Sequence, residues 1–307
     1  MYIILQKVFA VVLAAECFVG ITINVFISAV QIMKWKAVKS LESCDQILLC
    51  LAISRSLSLT SLSFDFIIRA YFPLTFLDLI IFSVVTLPRI LLYYTSFWFT
   101  TVLCVFYCVK IANYKNRVFL YMKTRISKLV PQLIGASLLI SLAFTIPFFW
   151  YFFQLHRQTL GNHFVGKVNM NNSSFEDNHR IQTIVYILGS SLPFLIFCGA
   201  VSLLIQSLWL HTRQMRRSGG SSFQDPKLEA HFSVVKSMTL FLCFQIIYFV
   251  CAICMFSLYV NFTSPWKMFI YVLACVPSGL HSSYMVYSNT KLKQAFLEMW
   301  HSFQRCI

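Results

Sequence analysis

Long apolar runs separated by short polar stretches dominate the chain. A membrane-spanning helix needs about 20 apolar residues, and seven segments reach that length. They are Val8–Ile32, Ile47–Tyr71, Leu79–Ile111, Leu129–Phe153, Ile181–His211, Phe232–Val260 and Trp266–Ser288. This pattern predicts an all-α membrane protein, a seven-transmembrane-helix bundle that occupies residues 1–307 as a single domain.

A different pattern follows the seventh segment, between Lys291 and Cys306. Apolar residues recur there at spacings of three and four, which places them on one face of a helix. The residues of this face are Leu292, Ala295, Phe296, Met299 and Phe303. The spacing predicts a short amphipathic C-terminal helix that lies on the inner membrane surface.

Basic residues set the predicted orientation. The formal net charge is +15, although only 11% of residues are charged. Most Lys and Arg fall in alternate polar stretches, such as 34–39 and 110–125, which is the positive-inside pattern. We therefore expect an extracellular N-terminus, a cytoplasmic C-terminus and a multi-pass protein of the plasma membrane. Since the basic residues lie between apolar runs, the expected partner is the lipid bilayer and not nucleic acid.

Glycosylation sequons agree with this orientation. They begin at Asn171, Asn172 and Asn261, and all three fall in predicted outer loops. A sequon alone is a weak signal, and Asn261 lies close to the membrane. We predict glycosylation on this side without assigning it to one site.

Patterns for metal binding and catalysis are missing from the sequence. The chain has eleven Cys, mostly within apolar runs, where Cys acts as a small buried apolar residue. Neither Cys104 with Cys108 nor Cys251 with Cys254 has the further ligands that a metal site needs. There is no Gly-x-Ser-x-Gly, no His-x-x-x-His and no pair of intramembrane aspartates. We expect no catalytic residue, no metal, no cofactor and no enzymatic activity.

One arginine lies inside a predicted span. Arg55 is eight residues into the second segment, or roughly 12 Å deep. A charge there is costly unless it faces a partner or water, and Asn24, His281 and Ser282 are candidate partners. This group is either a structural lock between helices, a switch network, or both. Glu16 is interpreted as the only acid well inside a span.

Aromatic residues surround another arginine in the outer part of the third span. Arg89 lies 21 residues before Lys110, about 31 Å along a helix, which puts it near the outer interface. Tyr93 and Tyr94 follow one turn deeper. A small-molecule pocket needs such aromatics and one fixed donor, but an interfacial aromatic belt has the same composition.

The inner end of the third span runs into a basic cluster without an acid. Tyr107, Lys110, Asn113 and Tyr114 recur at three- and four-residue spacing and share one helix face. This surface either only stops translocation or also docks a partner protein.

Five separated motifs carry a family resemblance. They are WFTTVLCVFYCVKIANYKNRVFLYMKTRI in the third span and its inner loop, LLCLAISR ending at Arg55, SLPF around Pro193, the stretch Ser207–Ser237, and HSSYMVYSNTKLKQAF at the end of the seventh span. With Asn24, they resemble the vertebrate bitter taste receptors (type 2 taste receptors), which are seven-helix G-protein-coupled receptors. IANYKN departs from the usual Phe-Ser after IAN. This difference bears on the details of G-protein coupling.

The resemblance implies a sensor of small bitter compounds that activates a gustducin-like G protein of the inhibitory class. The implied ligand-binding residues are Arg89, Tyr93, Tyr94, Tyr248, Ile270 and Tyr271. The implied G-protein contacts are Tyr107, Lys110, His211, Met215, His231 and Lys236. The implied activation network is Asn24, Arg55, His281 and Ser282. Many members carry Trp and Asn where this chain has Arg89 and Tyr93, which suggests a ligand range that includes anionic compounds.

Two other functions stay open at this point. A vomeronasal type 1-like pheromone receptor would share the seven-helix pattern, but the KIAN and AHFSVVKS motifs favour the bitter receptors. A transporter or channel is the less favoured alternative, because the sequence has no internal repeats and no paired charges at mid-membrane.

Overall fold

A computed structural model gives the fold of the chain. It describes residues 2–71, 79–112, 114, 116–165, 172–217, 226–257 and 265–306. The described residues form eight helices and no strand: α1 (Tyr2–Val38), α2 (Ser43–Tyr71), α3 (Leu79–Ile111), α4 (Arg117–Val165), α5 (Asn172–Arg217), α6 (Pro226–Ser257), α7 (Pro265–Ser288) and α8 (Thr290–Cys306). The prediction of an all-α bundle with a C-terminal helix is confirmed.

Each predicted span coincides with one helix, but several helices are longer than the apolar run. α3 begins and ends at the predicted residues, whereas α4 has 49 residues and α5 has 46. A bilayer needs only about 20 residues of apolar helix. Since helical hydrogen bonding continues where apolarity stops, both helices are longer than a bilayer core requires.

Five helices, α1 to α5, contain a described stretch that is long and apolar enough to cross a membrane. The apolar stretch found in α6 is shorter, Thr239–Cys251. α6 and α7 have 32 and 24 residues, so at about 1.5 Å per residue each is also longer than a bilayer core.

α3 is the central helix of the bundle. It packs against α2, α4 and α5, while α1, α2, α3, α5, α6 and α7 close a ring through successive contacts. Residues of α3 occur in three separate buried clusters: one with α2 and α4 and one with α5 and α6 in its inner half, and one with α4 and α5 near its outer end. In the apolar stretch of α3 that could cross a membrane, 72% of the residues are buried, whereas 17% are buried in the corresponding stretch of α4.

α8 begins after a capping residue and carries exposed apolar side chains. Asn289 caps the helix, because its Oδ1 accepts hydrogen bonds from the backbone N–H groups of Lys291 and Leu292 at 3.1 and 3.3 Å. Leu292 is buried against the bundle, whereas Phe296 and Met299 are exposed. These two side chains therefore extend the apolar surface of the bundle along α8.

Candidate functional site

Three tyrosines from three helices meet in the outer half of the bundle, and we call them the tyrosine layer: Tyr93 of α3, Tyr186 of α5 and Tyr248 of α6. The Tyr93 ring stacks on Tyr186 with centroids 5.1 Å apart and lies 5.3 Å from the Tyr248 ring. The Tyr93 hydroxyl donates to Ser190 Oγ at 3.1 Å. The layer therefore joins α3, α5 and α6 at one level.

Tyr94 points in a different direction from Tyr93. It is fully buried and contacts Phe144 of α4 and Tyr186, with ring centroids 5.9 Å away in both cases. A Cβ on Gly189 would approach both the Tyr94 and the Phe144 rings to 2.9 Å, which shows how closely α5 packs here. Tyr94 therefore belongs to the packing between α3, α4 and α5.

Arg89 has an acidic partner. Its Nε lies 3.8 Å from Oδ2 of Asp65 in α2, and the two side chains are 21% and 0% exposed. The expectation that Glu16 is the only acid well inside a span is therefore wrong. The sequence could have indicated this acid, because Asp65 is an ionisable residue within the apolar segment Ile47–Tyr71, as Arg55 is.

Two of the predicted pocket residues belong to α7. Ile270 is half-buried, and the side chain of Tyr271 lies outside the described residues. The structure therefore brings Tyr93 and Tyr248 together and leaves the contribution of α7 as a prediction.

A small polar cavity lies between the tyrosine layer and Arg55. Its volume is about 30 Å³, enough for one or two water molecules by the usual threshold of about 10–15 Å³ for one. Its walls come from α2, α3, α6 and α7, and they are lined by Arg55, Ser58, Tyr93, Ser96, Phe97, Thr100, Phe241, Gln245, Tyr248, Pro277 and Ser278.

Arg55 is the centre of a buried group that we call the Arg55 network: Asn24, Arg55, Thr100, His281 and Ser282. Arg55 Nη1 donates to His281 Nδ1 at 2.7 Å and to Ser282 Oγ at 3.1 Å. The Ser282 hydroxyl donates to Asn24 Oδ1 at 2.9 Å. The predicted contacts are thus present, with Asn24 joined through Ser282, and these contacts connect α1, α2 and α7.

Two residues that contact Arg55 were not predicted from the sequence. Arg55 Nη2 donates to Thr100 Oγ1 of α3 at 3.2 Å. The Phe241 ring of α6 lies 5.5 Å from the Arg55 guanidinium carbon and 3.9 Å from the His281 ring. Thr and Phe are common in apolar helices, so no pattern distinguishes these two. Through them the site reaches five helices.

The inner end of α3 is anchored on both sides. The Tyr107 hydroxyl lies 3.3 Å from Cys44 Sγ of α2, and the Tyr114 hydroxyl donates to the Leu203 carbonyl of α5 at 2.8 Å. Lys110 is exposed between them, and Lys236 of α6 is exposed as well. The predicted inner face thus has one exposed cation, Lys110, between two tyrosines that α2 and α5 hold in place.

Several residues predicted for glycosylation and G-protein contact lie outside the residues or side chains that the structure describes. Asn113 of the predicted inner face, Asn171 and Asn261 lie outside the described residues. Asn172 is the first residue of α5, but its side chain is not described, nor are those of His211, Met215 and His231. Their roles in glycosylation and G-protein contact stay predictions.

Comparisons with known proteins agree with the motif resemblance. The family model described as Taste receptor protein (TAS2R) matches residues 1–304. Taste receptor type 2 member 40 of Gallus gallus is 30% identical over 298 residues, which cover 95% of this chain and 94% of the relative. Taste receptor type 2 member 9 of Homo sapiens is 30% identical over 309 residues, covering 98% and 96%.

A third relative matches over a shorter length with higher identity. Taste receptor type 2 member 41 of Gorilla gorilla gorilla is 34% identical over 212 residues, 66% of each chain. The family consists of membrane receptors and not of enzymes. Because its model spans nearly the whole sequence, this chain belongs to the type 2 taste receptors, the bitter taste receptors among the G-protein-coupled receptors.

Proposed function

We propose that this receptor, a single domain in the plasma membrane with its N-terminus outside, binds small bitter compounds between α3, α5, α6 and α7. Binding activates a gustducin-like G protein of the inhibitory class at the inner face. The observation that carries this proposal is the tyrosine layer, where Tyr93 of α3 meets Tyr248 of α6 at 5.3 Å. Aromatic surfaces with a few fixed polar groups are typical of small-molecule sites.

The agonist binds on the outer side of this layer. The cavity below it holds about 30 Å³, far less than the roughly 300–1,000 Å³ of a small-molecule pocket. An agonist therefore uses the layer as the floor of its site. Tyr93 and Tyr248 contact it, and Ile270 and Tyr271 of α7 complete the wall.

The floor is connected to the Arg55 network through α6. Tyr248 and Phe241 lie seven residues apart on this helix, or about two turns, and Phe241 contacts His281. An agonist that binds more tightly when the Tyr93 and Tyr248 rings are apart favours the state in which α6 has moved away from α3. It shifts the equilibrium only by its differential affinity for the two arrangements. Displacement of α6 opens the inner face to the G protein.

The inner face supplies the contacts for coupling. Lys110 and Lys236 are exposed there, and positive charge speeds and orients association with an acidic partner surface. Tyr107, His211, Met215 and His231 complete the proposed contact surface.

The role of Arg89 in anion recognition is weaker than its charge suggests. Its ion pair with Asp65 offsets much of the positive charge near the floor. We propose that Arg89 mainly positions α2 against α3 and contributes to the binding of anionic agonists as a secondary effect.

Calcium release tests the proposal in cells that express the receptor with a gustducin-type chimeric G protein. A panel of bitter compounds that includes organic anions is screened first. For each agonist found, Tyr93→Ala is expected to raise the EC50 at least tenfold, because it removes the ring shared by α3 and α6. Tyr94→Phe is a control at the neighbouring position: it removes a hydroxyl that has no hydrogen-bond partner among the described residues, from a ring that packs on Phe144 of α4.

Equal EC50 values for wild type and Tyr93→Ala, at equal surface expression, would contradict the proposed floor. A response that requires no G protein would contradict the proposed coupling. Loss of the response to the anionic agonists alone in Arg89→Gln would show that Arg89 contacts these ligands directly.

A further inference from the structure

The positive charge of Arg55 is not neutralised by any described acidic group. The side chain is 3% exposed, and it forms no ion pair among the described residues. Its hydrogen-bond partners, which are His281, Ser282, Thr100 and, at 4.0 Å, the Met285 sulfur, are neutral groups. A lone cation at this depth in a membrane protein is unfavourable unless water or a counterion reaches it.

The guanidinium still has donors to offer. It carries five N–H groups, and the two on Nη1 and one on Nη2 are taken up by His281, Ser282 and Thr100. The Nε–H and the second N–H of Nη2 have no partner in the described part of the chain. Because Arg55 lines the cavity below the tyrosine layer, these donors are available to a group bound there.

The other walls of this cavity add further donors. Ser58 of α2, Ser96 of α3, Gln245 of α6 and Ser278 of α7 line it. None of their side chains forms a hydrogen bond with the described residues. Gln245 is buried, whereas the three serines are half-buried and face the cavity. Buried polar groups are nearly always satisfied by protein or by a bound species, so the Gln245 amide together with the free Arg55 donors indicates an occupant.

Charge and size restrict what this occupant is. The cavity has the volume of one or two water molecules, which excludes organic acids and admits a halide ion. Hydroxyl, amide and guanidinium N–H groups all donate to an anion. A water molecule would satisfy the hydrogen bonds but would leave the charge of Arg55 uncompensated.

We propose that this cavity binds a chloride ion as the counterion of Arg55. The ion accepts hydrogen bonds from the free guanidinium donors and from serine hydroxyls and the Gln245 amide around it. It touches α2, α3, α6 and α7 at once, so it stabilises the arrangement in which these four helices are close together.

Thermal unfolding of the purified receptor in detergent tests this proposal. Chloride is titrated from 1 to about 100 mM against gluconate at constant ionic strength, since gluconate is too large for the cavity. A ligand that binds only the folded state raises the Tm, and with a millimolar Kd we expect a rise of about 3 °C or more across this chloride range. The same Tm in both salts would overturn the proposal and indicate that the cavity holds water only.

Two variants of one helix locate the effect. Ser58→Val fills the cavity from α2 and is expected to abolish the chloride-dependent shift in Tm. Ser56→Val is the matched control, because Ser56 donates only to the Ala52 carbonyl of its own helix at 3.0 Å and does not line the cavity. An equal chloride shift in both variants would place the ion elsewhere and overturn the assignment. The wild-type titration decides the presence of the ion even where a variant does not fold.

Discussion

Two arginines within the membrane helices satisfy the same requirement in opposite ways. Arg89 of α3 has a carboxylate partner, Asp65 of α2, at 3.8 Å. Arg55 of α2 has only neutral partners, which come from α3 and α7, and an aromatic ring from α6. Both charges would be costly without these groups.

The difference shows which arginine responds to helix movement. The Arg89 ion pair joins two neighbouring helices, and charge attraction falls slowly with distance. The Arg55 hydrogen bonds depend steeply on distance and angle, and they hold only while α2, α3 and α7 keep their relative positions. We infer that Arg89 positions α2 on α3, whereas the Arg55 network changes state when the receptor is activated.

The largest effect is expected for Arg55→Ala. It leaves the His281 Nδ1 acceptor unpaired and creates a cavity where four helices meet, which together cost about 3 kcal/mol or more. We expect low surface expression by flow cytometry and little signalling. Ser56→Ala, one residue away with a hydrogen bond inside α2, serves as the control. Normal expression with a normal dose response in Arg55→Ala would contradict a role of the Arg55 network in stability and signalling.

A smaller effect is expected for Asp65→Asn. The change removes the carboxylate next to Arg89, but the Arg89 side chain is 21% exposed and can extend toward the outer interface. We expect a loss of about 1–2 kcal/mol, discounted for this exposure. In a double-mutant cycle with Arg89→Gln, thermal unfolding should give a coupling energy of about 1 kcal/mol. Strictly additive losses would mean that the ion pair contributes nothing to stability.

Thr100→Val tests a single neutral bond of Arg55. The substitution is nearly isosteric and removes the acceptor for Nη2, at an expected cost of about 1.5 kcal/mol. In the Arg55→Ala background, Thr100→Val should cost less, because only the hydrogen bond that the Thr100 hydroxyl donates to the Ser96 carbonyl at 2.8 Å is then lost. Thr101→Val is the matched control: Thr101 bonds to the Phe97 and Pro193 carbonyls, so its cost should add in full. Equal additivity for both threonines would contradict the assigned bond.

The smallest effect is expected at the inner ends of α1 and α2. Lys34 pairs with Asp45 there, with side chains 28% and 9% exposed. Asp45→Asn should cost about 0.5–1 kcal/mol, and sodium gluconate at high concentration should reduce this difference in Tm by screening. The cost of Asp65→Asn should persist in the same salt, because its carboxylate is fully buried. A salt-independent cost at Asp45 would contradict the distinction.

Much of the fold was predictable because lipid imposes one simple rule. A chain in a bilayer must satisfy its backbone hydrogen bonds internally, so long apolar runs become helices. α3 agrees with its prediction at both ends, and α7 begins one residue before the predicted Trp266. The ends of α4 and α5 were not predictable from hydropathy, since these helices continue into water, where apolarity no longer marks them.

The site was predictable only where a residue is unusual in its setting. Arg55, His281 and Asn24 stand out as polar groups in apolar segments, and the structure brings them into one network. Thr100 and Phe241 do not stand out, although they connect the same network to α3 and α6. The direction of Tyr94 toward α4 was hidden as well, because adjacent residues on a helix face different neighbours only once the bundle order is known.

The central claim is that the Arg55 network transmits agonist binding at the tyrosine layer to the inner face. Agonist-stimulated GTPγS binding to a purified inhibitory-class G protein tests it most directly, with wild type and Arg55→Met compared at equal amounts of agonist-bound receptor. We predict that Arg55→Met binds the agonist with less than a threefold change in Kd but stimulates nucleotide exchange at least tenfold less. Equal exchange per bound agonist in the two receptors would contradict the claim.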